Sequence, residues 1–272
     1  MPRLNEHLDT LRWHRITAVL ENIRTVPGYR TPGGAVIQAM VKEINLALGE
    51  NEEAPIFFHI RGKQYNVEAR RGDRFVLDVL ICRRDVVFAD TWRRAFIDYL
   101  RNPITGRNFS ISRVGPVEER SYELLASETG HLPTEGELWL RFLTPLAFNP
   151  ENGAQHSITP AQLIKGLESR FGRLVAENLH YEQGDDDFRF ITDHWRFLGY
   201  PRPSRSQPGA RQDIKGCVGM LGIAGKFGNL LPWLILASEL HAGGKITHAR
   251  GYFTFARRGQ PWDIPSEEEA VC

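Results

Sequence analysis

The apolar segments of this chain follow an order that strongly limits its fold. Residues 12–23 alternate like a strand, the turn VPGYRTPGG follows, and residues 35–48 have the spacing of an amphipathic helix. Strands, a helix and a closing strand are then predicted in the segments APIFFHI, KQYNVEAR, RFVLDVLICR, VVFADTWRRAFIDYL and NFSISRV. The resulting order, β-α-β-β-α-β, indicates one sheet whose strands are connected by crossing helices.

The second half repeats this alternation from about Glu137. Its predicted elements are the strand ELWLRFLTPLAF, the helix ITPAQLIKGLESRFGRLV, the strand IKGCVGMLGIAG, the helix NLLPWLILASELH and the strand ARGYFTFAR. Thr159 is the predicted N-cap of the first helix, ahead of Pro160. We therefore predict an α+β protein of two tandem ferredoxin-like βαββαβ domains, residues 1–116 and 117–272. A polar stretch rich in Pro and Gly, about 176–213, is expected to be an insertion, helical at first and then a loop.

Arginine dominates the positive charge, with 28 Arg against 6 Lys, although the net charge is only +1. The stretch from Arg61 to Arg113 contains twelve basic and six acidic residues. The stretch from Leu198 to Lys226 contains five basic residues and one acidic residue. Guanidinium groups bind phosphate and stack on bases, so these stretches, with the aromatic residues Tyr65, Trp92, Tyr99 and Tyr200, fit an RNA surface. Arg93 and Arg94 are candidate RNA contacts. The alternatives are solvated helix faces and the codon bias of a GC-rich genome.

Glycines next to basic residues form a second feature. The segment ELHAGGKITHARGYFTF joins a helix to a strand, and glycine amides with cations at such a turn suit a phosphate. The candidate RNA contacts here are Gly243, Gly244, Lys245, Thr247 and Arg250. Four further glycines recur at every third residue of one strand, Gly216, Gly219, Gly222 and Gly225, where close approach of either a packed element or an RNA backbone is expected.

Several classes of protein find no support in the sequence. The three cysteines form no C-x-x-C pair, which argues against a zinc ribbon and against a disulfide framework. No secretory signal and no apolar segment of bilayer length occurs, so a cytoplasmic protein is expected. Walker, G-x-S-x-G and H-E-x-x-H motifs are absent, and the run Asp185 to Asp187 is interpreted as a solvated turn. No metal, no other cofactor and no membrane partner is therefore expected.

The second half resembles the CRISPR-associated endoribonucleases of the RAMP superfamily over residues 135–256. The resemblance rests on LRFLTPLAF, LIKGLESRFGRL, IKGCVGMLGIAG and the glycine turn with Lys245 and Thr247, in that order. The first half is similar only in its β-α-β-β-α-β outline, and the arginine-rich composition is similar to the type IV branch. The resemblance implies binding and cleavage of precursor CRISPR RNA within its repeats.

The resemblance also implies a reaction and candidate residues for it. Family members cut without metal, by attack of a 2′-hydroxyl on its own 3′ phosphate, and often take a His or Tyr from the first helix or the loop before it. This chain departs from that pattern, because residues 35–48 contain neither. Tyr29 is then the candidate acid, base or hydrogen-bond donor, with Arg24, Arg30 and Lys42 stabilising phosphate charge. His14 and His248 are the alternatives for the acid or base.

The partners implied are CRISPR repeat RNA, its crRNA product and CRISPR effector-complex proteins. Four basic residues of the predicted insertion, Arg202, Arg205, Arg211 and Lys215, are candidates for holding the RNA hairpin, mainly through phosphate and shape. Two alternatives stay open. Beside the endoribonuclease, these are a RAMP-type RNA-binding subunit without cleavage and an unrelated two-domain protein that binds a small acidic ligand.

Overall fold

The computed structural model describes residues 3–24, 34–50, 56–61, 70–82, 85–106, 108–147, 158–203, 211–243 and 250–258. These residues form two compact units. The N-terminal module comprises the described residues from Glu6 to Glu128. The C-terminal module comprises residues 3–5, 129–243 and 250–258.

The N-terminal module is one antiparallel sheet with two crossing helices. Its elements are β1 (Arg12–Asn22), α1 (Gly34–Ala47), β2 (Ile56–Ile60), β3 (Arg74–Cys82), α2 (Val86–Arg101) and β4 (Phe109–Ser121). The strands lie in the order β2-β3-β1-β4, and each neighbouring pair is antiparallel. This is the predicted ferredoxin-like arrangement, because each helix connects two strands that are not hairpin partners. A helix that the sequence did not predict, α3 (Tyr122–Thr129), follows β4.

The C-terminal module repeats the same topology. Its elements are β5 (Glu135–Leu146), α4 (Pro160–Val175), β6 (Asp187–Pro203), β7 (Arg211–Lys226), α5 (Leu231–Leu240) and β8 (Phe253–Ala256). The strand order β6-β7-β5-β8 corresponds, strand for strand, to that of the N-terminal module. The prediction of two tandem ferredoxin-like domains is confirmed.

The core of the N-terminal module lies between its helices and one face of its sheet. Along β1, Ile16, Ala18 and Leu20 belong to this core, as the two-residue period of a strand requires. The indole of Trp92 donates a hydrogen bond of 2.8 Å to Asn45 Oδ1, so both buried polar groups have a partner. The alternation that predicted the strand therefore also identifies its buried face.

Local side-chain bonds fix where the helices begin. Thr159 Oγ1 accepts a bond from Gln162 N (3.3 Å), and Thr159 N donates to Gln162 Oε1 (2.8 Å), which confirms the predicted N-cap of α4. Asp85 caps α2 by accepting from Phe88 N at 2.8 Å. α2 and α4 have 16 residues each. Over the described ranges, no helix combines the length and the apolar character needed to cross a membrane.

The stretch 176–213 differs from its prediction, because much of it is a strand and not a helix followed by a loop. Residues 187–203 form β6, which pairs with β7 as an edge strand. Edge strands carry many polar side chains, and the alternation of β6 is interrupted by a bulge at His194, whose φ is 48°. Both features make a strand difficult to predict from the sequence. The segment KQYNVEAR, which was also predicted as a strand, lies outside the described residues apart from its last residue, Arg70.

Candidate nucleic-acid interface

A cavity of about 830 Å³ lies in the N-terminal module, where β1 ends beside α2 and β4. Backbone bonds hold β1 in place there, because Asn22 N donates to Asp73 O (2.9 Å) and Ile23 N donates to Asn108 O (3.0 Å). The strand therefore brings Ile23 and Arg24 to the cavity, together with residues of α2 and β4.

One wall of the cavity is the turn that follows α2. Asn102 Oδ1 accepts a bond of 2.9 Å from Ile104 N, and Thr105 Oγ1 donates to Tyr99 O at 2.6 Å. Gly106 N donates to Asn102 O (2.7 Å), and a Cβ at Gly106 would lie 2.0 Å from the carbonyl oxygen of Leu100. The turn is thus fixed by its own bonds, and its close approach to α2 requires glycine.

The charge of the cavity is positive. Its lining includes four arginines, Arg24, Arg93, Arg101 and Arg113, and no acidic residue. Arg93 is half-buried and donates from Nε to Gly115 O at 2.6 Å. Within the described part of the chain, the exposed side chains of Arg24, Arg101 and Arg113 form neither an ion pair nor a hydrogen bond. An arginine cluster without carboxylates can bind phosphate through charge-assisted, often bidentate bonds.

The structure brings part of the predicted catalytic set to this cavity. Arg24 lies in its lining, and Arg93, predicted to bind RNA, lies there too. Tyr29 and Arg30 follow Arg24 in the sequence and lie outside the described residues. Arg94 is exposed on α2 and does not line the cavity.

The structure does not bring Lys42 or His14 to the cavity. Lys42 is exposed on α1 and is not part of the lining. His14 is 5% exposed and lies near the start of β1, about 26 Å along the strand from Asn22. Its buried position argues against direct contact with a substrate.

The corner between α5 and β8 is held by the chain itself. Ala242 N donates to Gly251 O (2.9 Å), and Gly251 N donates to Pro145 O (3.1 Å). Gly243 and Gly251 have φ of 79° and 72°, and a Cβ at Gly251 would lie 1.8 Å from Ala242 O. These glycines are therefore required by the backbone of the corner.

Of the residues predicted to bind or cut RNA at this corner, the structure describes some and not others. Arg250 is 5% exposed, so its side chain faces protein and its position argues against a phosphate contact. Four of the predicted residues, Gly244, Lys245, Thr247 and His248, lie outside the described residues. Arg170, the arginine inside α4, is also buried, and it donates from Nε (3.1 Å) and from Nη2 (2.9 Å) to Leu240 O at the end of α5.

The glycines spaced three apart on β7 support packing within the sheet. A Cβ at Gly222 would lie 2.9 Å from the Trp139 ring. At Gly219, where φ is 134°, a Cβ would lie 2.5 Å from His194 O in the bulge of β6. Gly216 approaches Leu146 and Gly225 approaches Asp187 in the same way. Of the two expectations for these glycines, close approach of a packed element is the one that the structure supports.

The basic residues of the predicted insertion lie on a ribbon of two strands. β5 pairs with β7 as far as Cys217, whereas β6 and β7 continue as partners to the pair Pro203 and Arg211. The ribbon beyond the sheet contains Arg202, Arg211 and Lys215, and Arg205 lies outside the described residues. Where the sequence predicted a loop, the structure thus has two paired strands, β6 and β7.

A charged network, which the sequence did not reveal, occupies the other face of the N-terminal sheet. Asp78 is 1% exposed and accepts bonds from Thr17 Oγ1 (2.7 Å) and from Arg61 Nη2 (2.9 Å). His59 Nε2 lies 3.2 Å from its other oxygen. Burial alone would raise the pKa of Asp78, but the bonds and charges of His59 and Arg61 hold that pKa well below its usual range.

The acidic run has a structural role at Asp186. This carboxylate is 4% exposed, accepts from Tyr181 Oη (2.6 Å), and accepts from the backbone N of Asn229 (3.0 Å) and Leu230 (2.9 Å) just before α5. Burial and the neighbouring Asp186 raise the pKa of the Tyr181 hydroxyl. Among the residues that the structure describes, no group of three or more His, Cys, Asp or Glu could hold a metal ion.

Known proteins match this chain by fold and not by sequence. No protein-family model and no curated protein matches it. Cas6 from Thermus thermophilus is 13% identical with a TM-score of 0.58, over 91% of this chain and 99% of that chain. A Cas6 product complex is 14% identical with a TM-score of 0.58, over 90% and 100%. A partial Cas6-RT-Cas1–Cas2 complex is 13% identical with a TM-score of 0.61, over 93% of this chain and 48% of that chain.

These matches extend over both modules and show that the chain has the tandem fold of Cas6. The fold that the sequence resemblance implied is confirmed. Arg101 and Arg113 are the cavity arginines that the sequence did not single out, although both lie in the basic stretch from Arg61 to Arg113.

Proposed function

We propose that the protein is a metal-independent endoribonuclease that cuts precursor CRISPR RNA within its repeats. The observation that carries the proposal is the match of nine-tenths of the chain, both modules included, to Cas6 structures, one of them a product complex. The arginine-lined cavity at the end of β1 supports it, because a phosphodiester substrate needs unpaired cations.

The proposed reaction breaks one P–O bond and forms another at the same phosphorus. The 2′-oxygen attacks the adjacent phosphate, the bond to the 5′-oxygen breaks, and the products are a 2′,3′-cyclic phosphate and a 5′-hydroxyl. A base takes the 2′ proton and an acid supplies one to the leaving oxygen. Tyr29 is proposed for one of these roles, and His248 is the alternative. Arg24, Arg30 and Lys42 are proposed to stabilise the charge of the phosphorane.

The main contribution that cations can make to this reaction is to orient the RNA. A flexible RNA must place the 2′-oxygen in line with the leaving oxygen, and guanidinium groups that fix the neighbouring phosphates favour that geometry. Arg24, Arg93, Arg101 and Arg113 are available for this at the cavity.

The protein is also proposed to hold the product hairpin and to join other CRISPR proteins. The basic ribbon with Arg202, Arg211 and Lys215 is proposed to contact the hairpin, together with Arg205 and the corner residues Lys245 and Thr247. A Cas6-RT-Cas1–Cas2 complex contains a chain of the same fold, which supports partnership with CRISPR proteins. Assignment to the type IV branch stays a prediction.

The test uses the full chain, a repeat-containing RNA and excess EDTA. Discrete fragments that end in a 2′,3′-cyclic phosphate are expected, and a 2′-deoxy substitution at the scissile nucleotide should abolish them. Tight binding to the repeat without fragments would replace the nuclease with a non-catalytic crRNA-binding subunit. Equal affinity for an unstructured RNA of the same length would contradict both RNA functions.

Single substitutions locate the reacting site. Tyr29→Phe, Arg30→Ala and Lys42→Ala should each be compared with Lys165→Ala, which removes an exposed lysine from α4. Loss of cleavage with retained affinity for the repeat is expected for at least one of the first three variants. Normal cleavage by all three would remove these residues from the mechanism.

A further inference from the structure

The lining of the cavity is more varied than attraction of an RNA backbone requires. Alongside the arginines its lining includes the apolar residues Ile23, Ile97 and Ile111 and the polar residues Ser110 and Ser112. Contacts to phosphates need cations, whereas an unpaired base buries its flat face against apolar groups and offers its edges to hydrogen-bonding groups. The cavity provides both kinds of surface next to each other.

We propose that the cavity binds one unpaired nucleotide of the RNA. The base lies against Ile23, Ile97 and Ile111, and the phosphates on either side of it contact Arg24, Arg101 and Arg113. This inference rests on the RNA-binding part of the proposed function and adds a place for a base that is not paired in the hairpin. The volume of about 830 Å³ falls within the range of small-molecule sites, roughly 300–1,000 Å³.

The electrostatics of the cavity favour an anion even though a helix ends there. The C-terminus of α2 carries the equivalent of about half a negative charge. Two of its last carbonyl groups are engaged, because Asn102 N donates to Asp98 O (3.1 Å) and Thr105 Oγ1 donates to Tyr99 O (2.6 Å). Four guanidinium groups outweigh that partial charge.

The walls of the cavity are held in place without a ligand. The turn after α2 is closed by bonds to Asn102, and Gly106 packs against the backbone of Leu100. A site that is already ordered loses little conformational entropy when a nucleotide enters. Binding of a single nucleotide from a longer RNA is therefore feasible for a surface this small.

The test is a scan of abasic sites through the unpaired flanks of a repeat RNA, with EDTA present and binding measured by fluorescence anisotropy. An abasic nucleotide keeps its phosphate and loses its base. One position is expected at which affinity falls about tenfold, while the neighbouring positions change little. A scan in which no position stands out overturns the proposal and leaves only backbone contacts.

A cavity-filling variant locates that base. Ile97→Trp occupies the cavity without changing its charge, and it should lower RNA affinity about as much as the abasic site does. The two changes together should cost no more than either one, because both remove the same contact. If Ile97→Trp fails to fold, Ile23→Trp serves instead, because Ile23 is already 41% exposed. Full additivity, or unchanged affinity in the folded variant, would overturn the assignment.

Two further experiments distinguish this inference from its alternatives. Arg113→Ala should weaken binding of an unstructured RNA, whereas Arg173→Ala, which removes an exposed arginine of α4, should not. Equal effects of the two would overturn the inference. Tight binding of a nucleoside monophosphate that RNA does not displace would also overturn it. If the protein binds the RNA without cutting it, the proposed nuclease activity is refuted. The abasic scan still tests the cavity in that case, because it measures binding.

Discussion

The two modules share one topology but place their arginines differently. In the N-terminal module, Arg24, Arg101 and Arg113 are exposed around a cavity that has no acidic lining residue. In the C-terminal module, Arg170 is 4% exposed, and its Nε and Nη2 both donate to Leu240 O. Arg250 is buried as well. Equal charge in the sequence thus leaves arginines exposed at a cavity in one module and buried within the fold in the other.

The N-terminal module shows the same contrast within itself. Away from the cavity several of its arginines have carboxylate partners, such as Arg15 with Glu118 at 2.8 Å and Arg120 with Glu128. The hydrogen bond from Arg120 lowers the pKa of the Glu128 carboxyl, and the charges of Arg120, Arg15 and Arg61 add to that effect. At the cavity, by contrast, Arg24, Arg101 and Arg113 have no carboxylate partner among the described residues.

The largest expected effect comes from Asp78, at the centre of a paired network. Asp78→Asn leaves Arg61 and His59 facing a neutral amide at a site that is 1% exposed. We expect the free energy of unfolding to fall by about 3–5 kcal/mol. The folded pKa of Asp78 is lowered, so its contribution is complete above the unfolded value of about 3.9 and is lost as pH falls through the folded value.

Urea denaturation at a series of pH values checks this. Below about pH 4, stability should fall more steeply in the wild type than in Asp78→Asn. Asp98→Asn, at an exposed position of α2, is the control and should follow the wild type. Identical pH profiles for the wild type and Asp78→Asn would mean that the network does not stabilise the carboxylate.

Arg170→Ala tests the structural use of arginine in the C-terminal module. It removes two bonds from a buried guanidinium to Leu240 O, and the expected loss is about 2–3 kcal/mol of unfolding free energy. Affinity for RNA, measured on the folded fraction, should not change. The matched control is Arg173→Ala on the same helix, where the arginine is exposed and the expected change is within about 0.5 kcal/mol. A loss of RNA affinity without a loss of stability would reverse the assignment.

Gly222→Ala tests whether a glycine of β7 is needed for packing within the sheet or for contact with RNA. The new methyl group would lie 2.9 Å from the Trp139 ring inside the sheet, and overpacking of this kind costs about 1–3 kcal/mol. At Gly228 the nearest atom to a new Cβ is 3.7 Å away, so Gly228→Ala should be close to neutral. Thermal denaturation compares the two. A stable Gly222→Ala that binds RNA poorly would favour contact of β7 with RNA over packing.

The sequence predicted the fold better than the site, for physical reasons. Period-two alternation and helix caps are local, so β1 and the Thr159 cap could be predicted, whereas the polar edge strand β6 with its bulge could not. The cavity is not local. Arg101 ends a helix and Arg113 lies within a strand, and the return of β4 alongside β1 brings both to Arg24. Burial of Arg250 likewise depends on contacts that charge counting does not include.

The smallest expected effect is the one most specific to the cavity. Arg101→Ala should leave the unfolding free energy within about 0.5 kcal/mol of the wild type, because this exposed side chain has no protein partner among the described residues. Affinity for repeat RNA should fall by about 1 kcal/mol, roughly fivefold. The slope of log affinity against log salt should become shallower by about 0.7, as for one lost phosphate contact on a single strand. Arg173→Ala in the C-terminal module should leave that slope unchanged, and equal slopes for both variants would mean that the arginines of the two modules do not differ in RNA binding.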